Sequence, residues 1–160
     1  MAKFLISETI YSEKVKTVRL GTTANKYGNN EVGKAVKFGG LDNYVLCVAG
    51  DAIEGIVSSS NLDNQGTVDG YAIGGIVDKG YKAVTFDGLQ ASPGTGVIAA
   101  GDYVVTGSVS AFGTALSGSL KVVKATDQAA AKAAPFKARV VSLGSAGTGA
   151  VGTAGIIELF

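Results

Sequence analysis

TVDGYAIGGIVDKGYKAVTF, residues 67–86, decides the fold class of this 160-residue chain. β-branched and aromatic residues fill both halves of the stretch, which is typical of β-strands. Between the halves, Asp78-Lys79-Gly80 has the length and the glycine of a three-residue hairpin loop, because glycine readily takes the left-handed backbone conformation that such loops need. We therefore predict an antiparallel hairpin, with strands over residues 67–77 and 81–86 and an end at Asp87-Gly88.

Short strand-like segments recur along the rest of the chain from Val32 onward, with turn residues between them. The alanine-rich residues 126–134 give the one helical signal, in which Thr126 can cap the helix, Asp127 complements its dipole and Pro135 stops it. Regularly spaced short strands with at most one short helix predict an all-β fold, a small β-barrel or sandwich. The further strands are predicted at residues 35–38, 44–48, 53–57, 103–106, 120–123, 138–143 and 155–159.

Two turns in the chain have related sequences. Ala49-Gly50-Asp51-Ala52-Ile53 resembles Ala100-Gly101-Asp102-Tyr103-Val104. Glycine and aspartate are both favoured in tight turns, glycine for its backbone freedom and aspartate for its local hydrogen bonds. Each of the two segments therefore predicts a tight turn that leads into a strand.

Residues 1–33 differ from the rest in composition, and we predict that they form an N-terminal arm in front of a single β domain at residues 34–160. Residues 14–20 interleave β-branched with basic residues, and a polar Gly/Asn loop follows at residues 21–30. The first forty residues hold seven Lys/Arg against three acidic residues, whereas the remainder holds seven against ten. A basic arm on an acidic body fits docking on an acidic surface, and scattered lysines in contact with solvent explain the same charge pattern equally well.

Two residue types that are common in catalytic sites are absent or rare, so any chemistry would have to rest on carboxylates, Lys, Tyr or Ser. The chain has no His, which removes the commonest general base and metal ligand, and Cys47 is its one cysteine. Cys47 lies in an apolar run, so we predict a buried, inert thiol. Phe4-Leu5-Ile6 is shorter than the apolar core of a signal peptide, and no run is long enough for a membrane span, so we expect synthesis in a cytoplasm and no membrane partner.

Several short motifs imitate ligand sites. Residues 28–35 nearly match the phosphate-binding loop, but Ala35 lacks the hydroxyl that binds magnesium and the following residues predict a strand. The glycine patterns at residues 94–99 and 147–152 lack the βαβ context of a dinucleotide site. The acidic residues match no calcium-loop spacing. We therefore predict no enzyme activity, cofactor or metal site, and the net charge of +1 gives no reason to expect nucleic-acid binding. The acidic residues considered are Asp51, Glu54, Asp63 and Asp69.

The chain resembles bacteriophage head decoration proteins, also called capsid cement proteins. The resemblance is carried by the pattern of Gly33-Lys34-Ala35-Val36, the two Ala-Gly-Asp turns with the strands beside them, and residues 155–159. It implies a β-tulip-like fold, a homotrimer, and a place on the outside of a virion. There the protein would stabilise the capsid by clamping neighbouring subunits of the major capsid protein, with no catalytic group.

The predicted arm offers the contact residues for such a role, namely Lys14, Val15, Lys16, Val18, Arg19 and Leu20. We expect residues 1–20 to be mobile in the free protein, so that their deletion leaves the β domain folded, and to order on the capsid as an added strand. A ligand- or carbohydrate-binding β-sandwich module on a virion or cell surface is the alternative, although the aromatic residues are scattered singly.

Overall fold

The computed structural model describes residues 14–40, 42–62, 67–68 and 70–160. The all-β prediction is confirmed, because these residues form eleven strands, one short helix and one 3-10 turn at Asn29–Glu31. The strands are β1 (Lys14–Leu20), β2 (Ala35–Phe38), β3 (Asn43–Leu46), β4 (Gly55–Ser60), β5 (Thr67–Val68), β6 (Tyr71–Leu89), β7 (Ser92–Pro93), β8 (Val104–Thr106), β9 (Leu120–Lys124), β10 (Ala138–Ser142) and β11 (Ala154–Leu159), and the helix is α1 (Gln128–Ala133).

β6 is one strand of 19 residues, so the predicted hairpin at Asp78-Lys79-Gly80 is wrong. Lys79 pairs with Lys14 of β1, and Gly80 pairs with Leu159 of β11. β1 therefore pairs with β6 as far as Lys79, and β11 pairs with it from Gly80 onward. These two strands hold the residues of the proposed turn in an extended conformation. Gly80 has a φ of 124°, which lets β6 pass from one sheet into the next without reversing.

The first half of β6 belongs to a closed five-stranded barrel. Its strands follow the order β1-β3-β2-β4-β6, and β6 pairs again with β1 to close the ring. β1 runs parallel to β3 and antiparallel to β6. We call this unit the first barrel. Its interior is filled by Leu20, Tyr27, Val36, Val57, Ala72 and Ile76.

The second half of β6 carries a second ring of strands, in the order β10-β11-β6-β9-β8. A single bridge between Tyr103, next to β8, and Arg139 of β10 brings its two ends together. We call this unit the second barrel. Its core also includes Ala35, Cys47, Ile53 and Ile56 from the first half of the chain. Residues of the first barrel and its connections thus pack into the core of the second barrel. The other members of this core are Val84, Phe86, Ile98, Val104, Leu120, Val122, Ala138, Val140, Ile157 and Leu159.

The two related turns adopt the same structure, which confirms the prediction of tight turns. In the first, the Gly50 N–H donates to the Thr106 carbonyl at 2.8 Å and the Thr106 N–H donates to the Asp51 carbonyl at 2.9 Å. Gly101, Val140 and Asp102 make the same pair of bonds in the second turn, at 2.8 and 2.9 Å. Each turn therefore docks its main chain on one residue of a neighbouring strand.

The aspartate of each turn does the same work in both places. Asp51 accepts from the Val48 N–H at 2.8 Å and binds the Lys37 ammonium at 2.7 Å. Asp102 accepts from the Ala99 N–H at 2.7 Å and binds Lys124 at 3.0 Å. The sequence similarity thus reflects a repeated structural device, in which a carboxylate closes the turn and ties it to a strand lysine.

The described part of the predicted arm is a wall of the first barrel. β1 pairs with β6 along its whole length, and Leu20 is completely buried in the barrel core. Tyr27 and Glu31 are buried as well, so packing continues across the predicted boundary between residues 33 and 34. The expected separation of residues 14–20 from the core is therefore wrong, because Val18 and Leu20 have apolar partners inside the barrel. Residues 1–13 lie outside the described residues.

The helix forms inside the predicted range, but its cap is Asp127 rather than Thr126. The Asp127 carboxylate accepts from the Ala130 N–H at 2.8 Å, which satisfies one of the free donors of the first turn. Thr126 instead donates its main-chain N–H to Gln90 at 2.9 Å. The helix ends at Ala133, two residues before Pro135.

Candidate functional site

β1 presents main-chain groups to the surface because only one of its edges is fully paired. Main-chain groups of successive strand residues face opposite edges. The Ile73 carbonyl accepts from Asn61, next to β4, so the odd-numbered residues of this part of β6 face β4 and the even-numbered ones face β1. In the β1–β6 pairing, the even-numbered residues of β6 lie opposite Lys16, Val18 and Leu20, so the main chain of these three residues exchanges hydrogen bonds with β6. Val15, Thr17 and Arg19 face the other edge.

That other edge is paired over only part of its length. β3 pairs with β1 at Arg19 and Leu20 and extends no further along it. Within the described part of the chain, no strand pairs with the outer edge of β1 at Val15 and Thr17. Two N–H donors and two carbonyl acceptors are therefore placed to receive another strand. We call residues 14–18 the open edge.

The side chains of β1 divide between two faces, which separates the six predicted contact residues. Val18 and Leu20 point into the first barrel, with Leu20 fully buried, so Leu20 belongs to the core and is not a surface contact. Val15, by contrast, is 58% exposed on the outer face. The structure keeps Lys14, Val15 and Lys16 together as exposed residues of the open edge, while Arg19 lies on the outer face with its guanidinium 5.7 Å from the centre of the Tyr71 ring.

Lys16 is tied to a buried acid. Its ammonium binds one oxygen of Asp78, whose side chain is almost completely buried while that of Lys16 is half exposed. This hydrogen bond raises the pKa of Lys16 above its usual value. The second oxygen of Asp78 is buried and has no hydrogen-bond partner. Sequence reasoning placed Asp78 in a hairpin loop and so missed this ion pair, because Lys16 lies 62 positions away along the chain and no local pattern marks the pairing.

The segment that imitates a phosphate-binding loop is a turn that leads into a strand, as predicted. The 3-10 turn at Asn29–Glu31 comes first, and β2 begins at Ala35, directly after Lys34. The Lys34 ammonium is buried and donates to the Ala111 carbonyl at 2.9 Å, and it lies 3.4 Å from the Glu31 carboxylate. Lys34 is therefore committed to internal contacts rather than held out toward a phosphate.

The other candidate residues also have structural contacts. Cys47 is buried, as predicted, and burial raises the pKa of its thiol to about 12. Asp51 serves its turn, and Glu54 accepts from the Phe38 N–H at 2.7 Å. Asp63 and Asp69 lie outside the described residues. Among the residues that the structure describes, no three His, Cys, Asp or Glu side chains come together as a metal site, and no helix is long and apolar enough to cross a membrane.

The cavities of the described chain are small or shallow. The cavity beside Cys47 has a volume of about 10 Å³, room for at most one water molecule. A groove of about 410 Å³ runs between the two barrels, and it is lined by apolar residues such as Val32, Ile56 and Leu116 together with Ser58, Lys82 and Ser119. The groove is open to solvent rather than enclosed. The open edge of β1 differs from these cavities because it offers main-chain donors and acceptors that no described strand pairs.

Comparisons of the chain with protein-family models, with curated proteins and with solved structures find no match. The functional proposal therefore rests on the sequence pattern and on the geometry of this chain.

Proposed function

We propose that this protein is a structural protein of the phage virion, which binds the outer surface of the capsid and clamps neighbouring subunits of the major capsid protein. The observation that carries the proposal is the open edge of β1, where Val15 and Thr17 offer main-chain donors and acceptors beside exposed lysines. An extended segment of a capsid subunit would pair there as an added strand. The absence of His from the sequence and the resemblance to decoration proteins support the same role.

Main-chain pairing at the open edge supplies only part of the binding energy. Each hydrogen bond between main-chain groups contributes about 0.5–1.5 kcal/mol net, because both groups give up water to form it. Val15 and Thr17 can form a handful of such bonds with one added strand. Val15 then adds apolar area, since 58% of its surface is exposed before docking.

The charge near the open edge indicates which kind of partner segment it favours. Lys14 and Lys16 lie on β1, and Lys79 is the cross-strand partner of Lys14. Lys16 is balanced by Asp78, so Lys14 and Lys79 supply the excess positive charge at this end of the edge. That charge favours an acidic partner segment, and the attraction weakens as salt screens it. We therefore propose an acidic stretch of the capsid protein as the partner of the open edge.

Self-association belongs to the same proposal. Charged residues make up 17% of the chain, below the roughly 25% that is usual for a globular domain. A surface with few charges is suited to close contact between subunits, because charged residues are depleted from interface cores. We propose a homotrimer in which each copy presents one open edge to the capsid, so that three weak contacts act together.

Thr17→Pro tests the open edge with little damage to the fold. The Thr17 N–H faces away from β6, so proline removes a donor of the open edge while the ladder to β6 stays intact. We expect the affinity for heads that lack this protein to fall about tenfold, because one hydrogen bond is lost and the partner carbonyl loses its donor. Co-sedimentation with purified heads measures the affinity, and circular dichroism checks the fold.

Thr17→Val is the matched control, since it keeps the β-branched shape and the N–H while it removes the hydroxyl. It should bind heads as the unchanged protein does. If Thr17→Pro is folded and also binds with unchanged affinity, the open edge is not the docking strand. Lys16→Pro would remove a bond to β6 and serves as the positive control for damage to the barrel.

Lys14→Glu tests the charge of the open edge. We expect weaker binding to heads and a flatter dependence of affinity on salt concentration, because an attraction becomes a repulsion. Lys121→Glu on β9 of the second barrel makes the same charge change at another exposed position. Equal loss of binding in both variants would point to net charge rather than to the open edge.

A further inference from the structure

The longest irregular connection in the second barrel joins β8 to β9 over residues 107–119. We call it the crossing loop. Loops of this length without secondary structure are uncommon in compact domains and usually have a function. The crossing loop contains no Asp, Glu, Lys or Arg, and it consists of Gly, Ser, Ala and Thr with three larger apolar residues, Val109, Phe112 and Leu116. An uncharged surface segment of this kind is suited to contact with another protein surface.

The base of the crossing loop is fixed by a buried acid. Asp87 of β6 accepts from the Ser108 N–H at 3.0 Å and from the Ser108 hydroxyl through a short hydrogen bond. The Gly107 N–H donates to the Lys121 carbonyl at 2.9 Å. The first two residues of the loop are therefore held close to the β6–β9 pair.

The middle of the crossing loop is fixed to the first barrel by a buried ion pair. Glu31 accepts from the Gly113 N–H at 2.8 Å, and Lys34 donates to the Ala111 carbonyl at 2.9 Å. These two charged residues are only 2% and 4% exposed. Burying two charges is expensive, and neither residue fills a cluster of the hydrophobic core. Their hydrogen bonds instead fix the position of the loop.

The loop so fixed holds two apolar side chains out toward solvent. Val109 is 47% exposed and Phe112 is 46% exposed. The Tyr27 ring lies under Phe112, with 5.7 Å between the ring centres. Rigidly held aromatic and aliphatic side chains make effective interface anchors, because little conformational entropy is lost when they are covered.

We infer that the crossing loop is the surface through which copies of this chain associate, with Val109 and Phe112 as its anchors. Close to a symmetry axis a residue meets copies of itself, so a charge there would meet like charge. The absence of charge from residues 107–119 fits that situation, whereas the cationic open edge fits a different, acidic partner. The inference rests on the self-association that forms part of the proposed function.

Val109→Asp is the direct test. Sedimentation velocity across micromolar concentrations should show an oligomer for the unchanged protein and at least a tenfold weaker association for the variant, because each copy brings a charge into the contact. Phe112→Ser is the second variant, which removes the other anchor without adding charge, and circular dichroism verifies that both remain folded. Val97→Asp is the matched control, since Val97 is exposed on another loop of the second barrel.

The inference is supported if Val109→Asp and Phe112→Ser dissociate while Val97→Asp keeps the mass of the unchanged protein. It is overturned if the folded loop variants keep that mass, if Val97→Asp dissociates as much as they do, or if the unchanged protein is a monomer at every concentration. Binding of the unchanged protein to heads is measured separately. If the proposed capsid role is wrong, the unchanged protein will not bind heads. If only this inference is wrong, head binding will be normal and the sedimentation masses of the variants will contradict the inference.

Discussion

The two barrels are built alike but close differently. They share β6, and each has a Gly-Asp turn tied to a lysine. The second barrel closes through one bridge, between Tyr103 and Arg139, supported by the hydrogen bonds of its turn. The first barrel closes through β1, which pairs with β6 over seven residues but needs only Arg19 and Leu20 to reach β3. The pairing with β3 therefore uses only the end of β1, and residues 14–18 pair with β6 on one side while their other edge stays open for a partner.

Deletion of residues 1–20 should produce the largest effect, because it removes the closing strand of the first barrel. The expected result is loss of cooperative folding in that barrel, seen as reduced β-type circular dichroism and a lower urea midpoint. Truncation of one buried leucine to alanine already costs about 2–5 kcal/mol, out of a total stability of about 5–15 kcal/mol for a typical domain. Here Leu20 is lost together with the whole ladder to β6.

Deletion of residues 1–13 is the matched control for that experiment, since it leaves every described contact of β1 in place. It should keep the urea midpoint close to that of the unchanged protein. A soluble, cooperatively folded protein after deletion of residues 1–20 would show instead that β1 is dispensable for the barrel, and the original expectation of a separable arm would return.

Asp51→Ala and Asp102→Ala compare the Gly-Asp turns of the two barrels, and we expect them to lower the stability less than the deletion does. Each variant loses a hydrogen bond from a turn N–H and a partly exposed ion pair, so we expect each to lower the free energy of unfolding by about 1–2 kcal/mol. Urea denaturation measures both. Nearly equal losses would mean that the two turns contribute equally to the stability of the protein. A difference of more than about 2 kcal/mol would show that one aspartate makes a stabilising contribution that the other lacks.

Local patterns in the sequence were enough to predict most of the strands, the two turns and the helix. Residues 35–38 are an example, because a glycine turn and alternating side chains mark β2 without any distant partner. The buried state of Cys47 followed from its apolar neighbours in the same way. These features depend on residues that are close together along the chain.

The errors arose where distant partners decide the structure. Asp78-Lys79-Gly80 has the sequence of a hairpin loop, but β1 and β11 hold it extended. Residues 14–20 look like a detached arm because their core partners, such as Val57 and Ile76, come much later in the chain. The contact of Glu31 and Lys34 with the crossing loop was missed for the same reason, since nothing near these two residues in the sequence indicates that they are buried.

A cryo-EM map of the decorated head would test the central claim most directly, namely that the open edge of β1 is the docking strand. We predict an extended segment of the major capsid protein beside β1, within hydrogen-bonding distance of the main chain of Val15 and Thr17, with acidic side chains near Lys14. A decorated particle in which this edge of β1 faces solvent, while another surface of the protein touches the capsid, would contradict the claim.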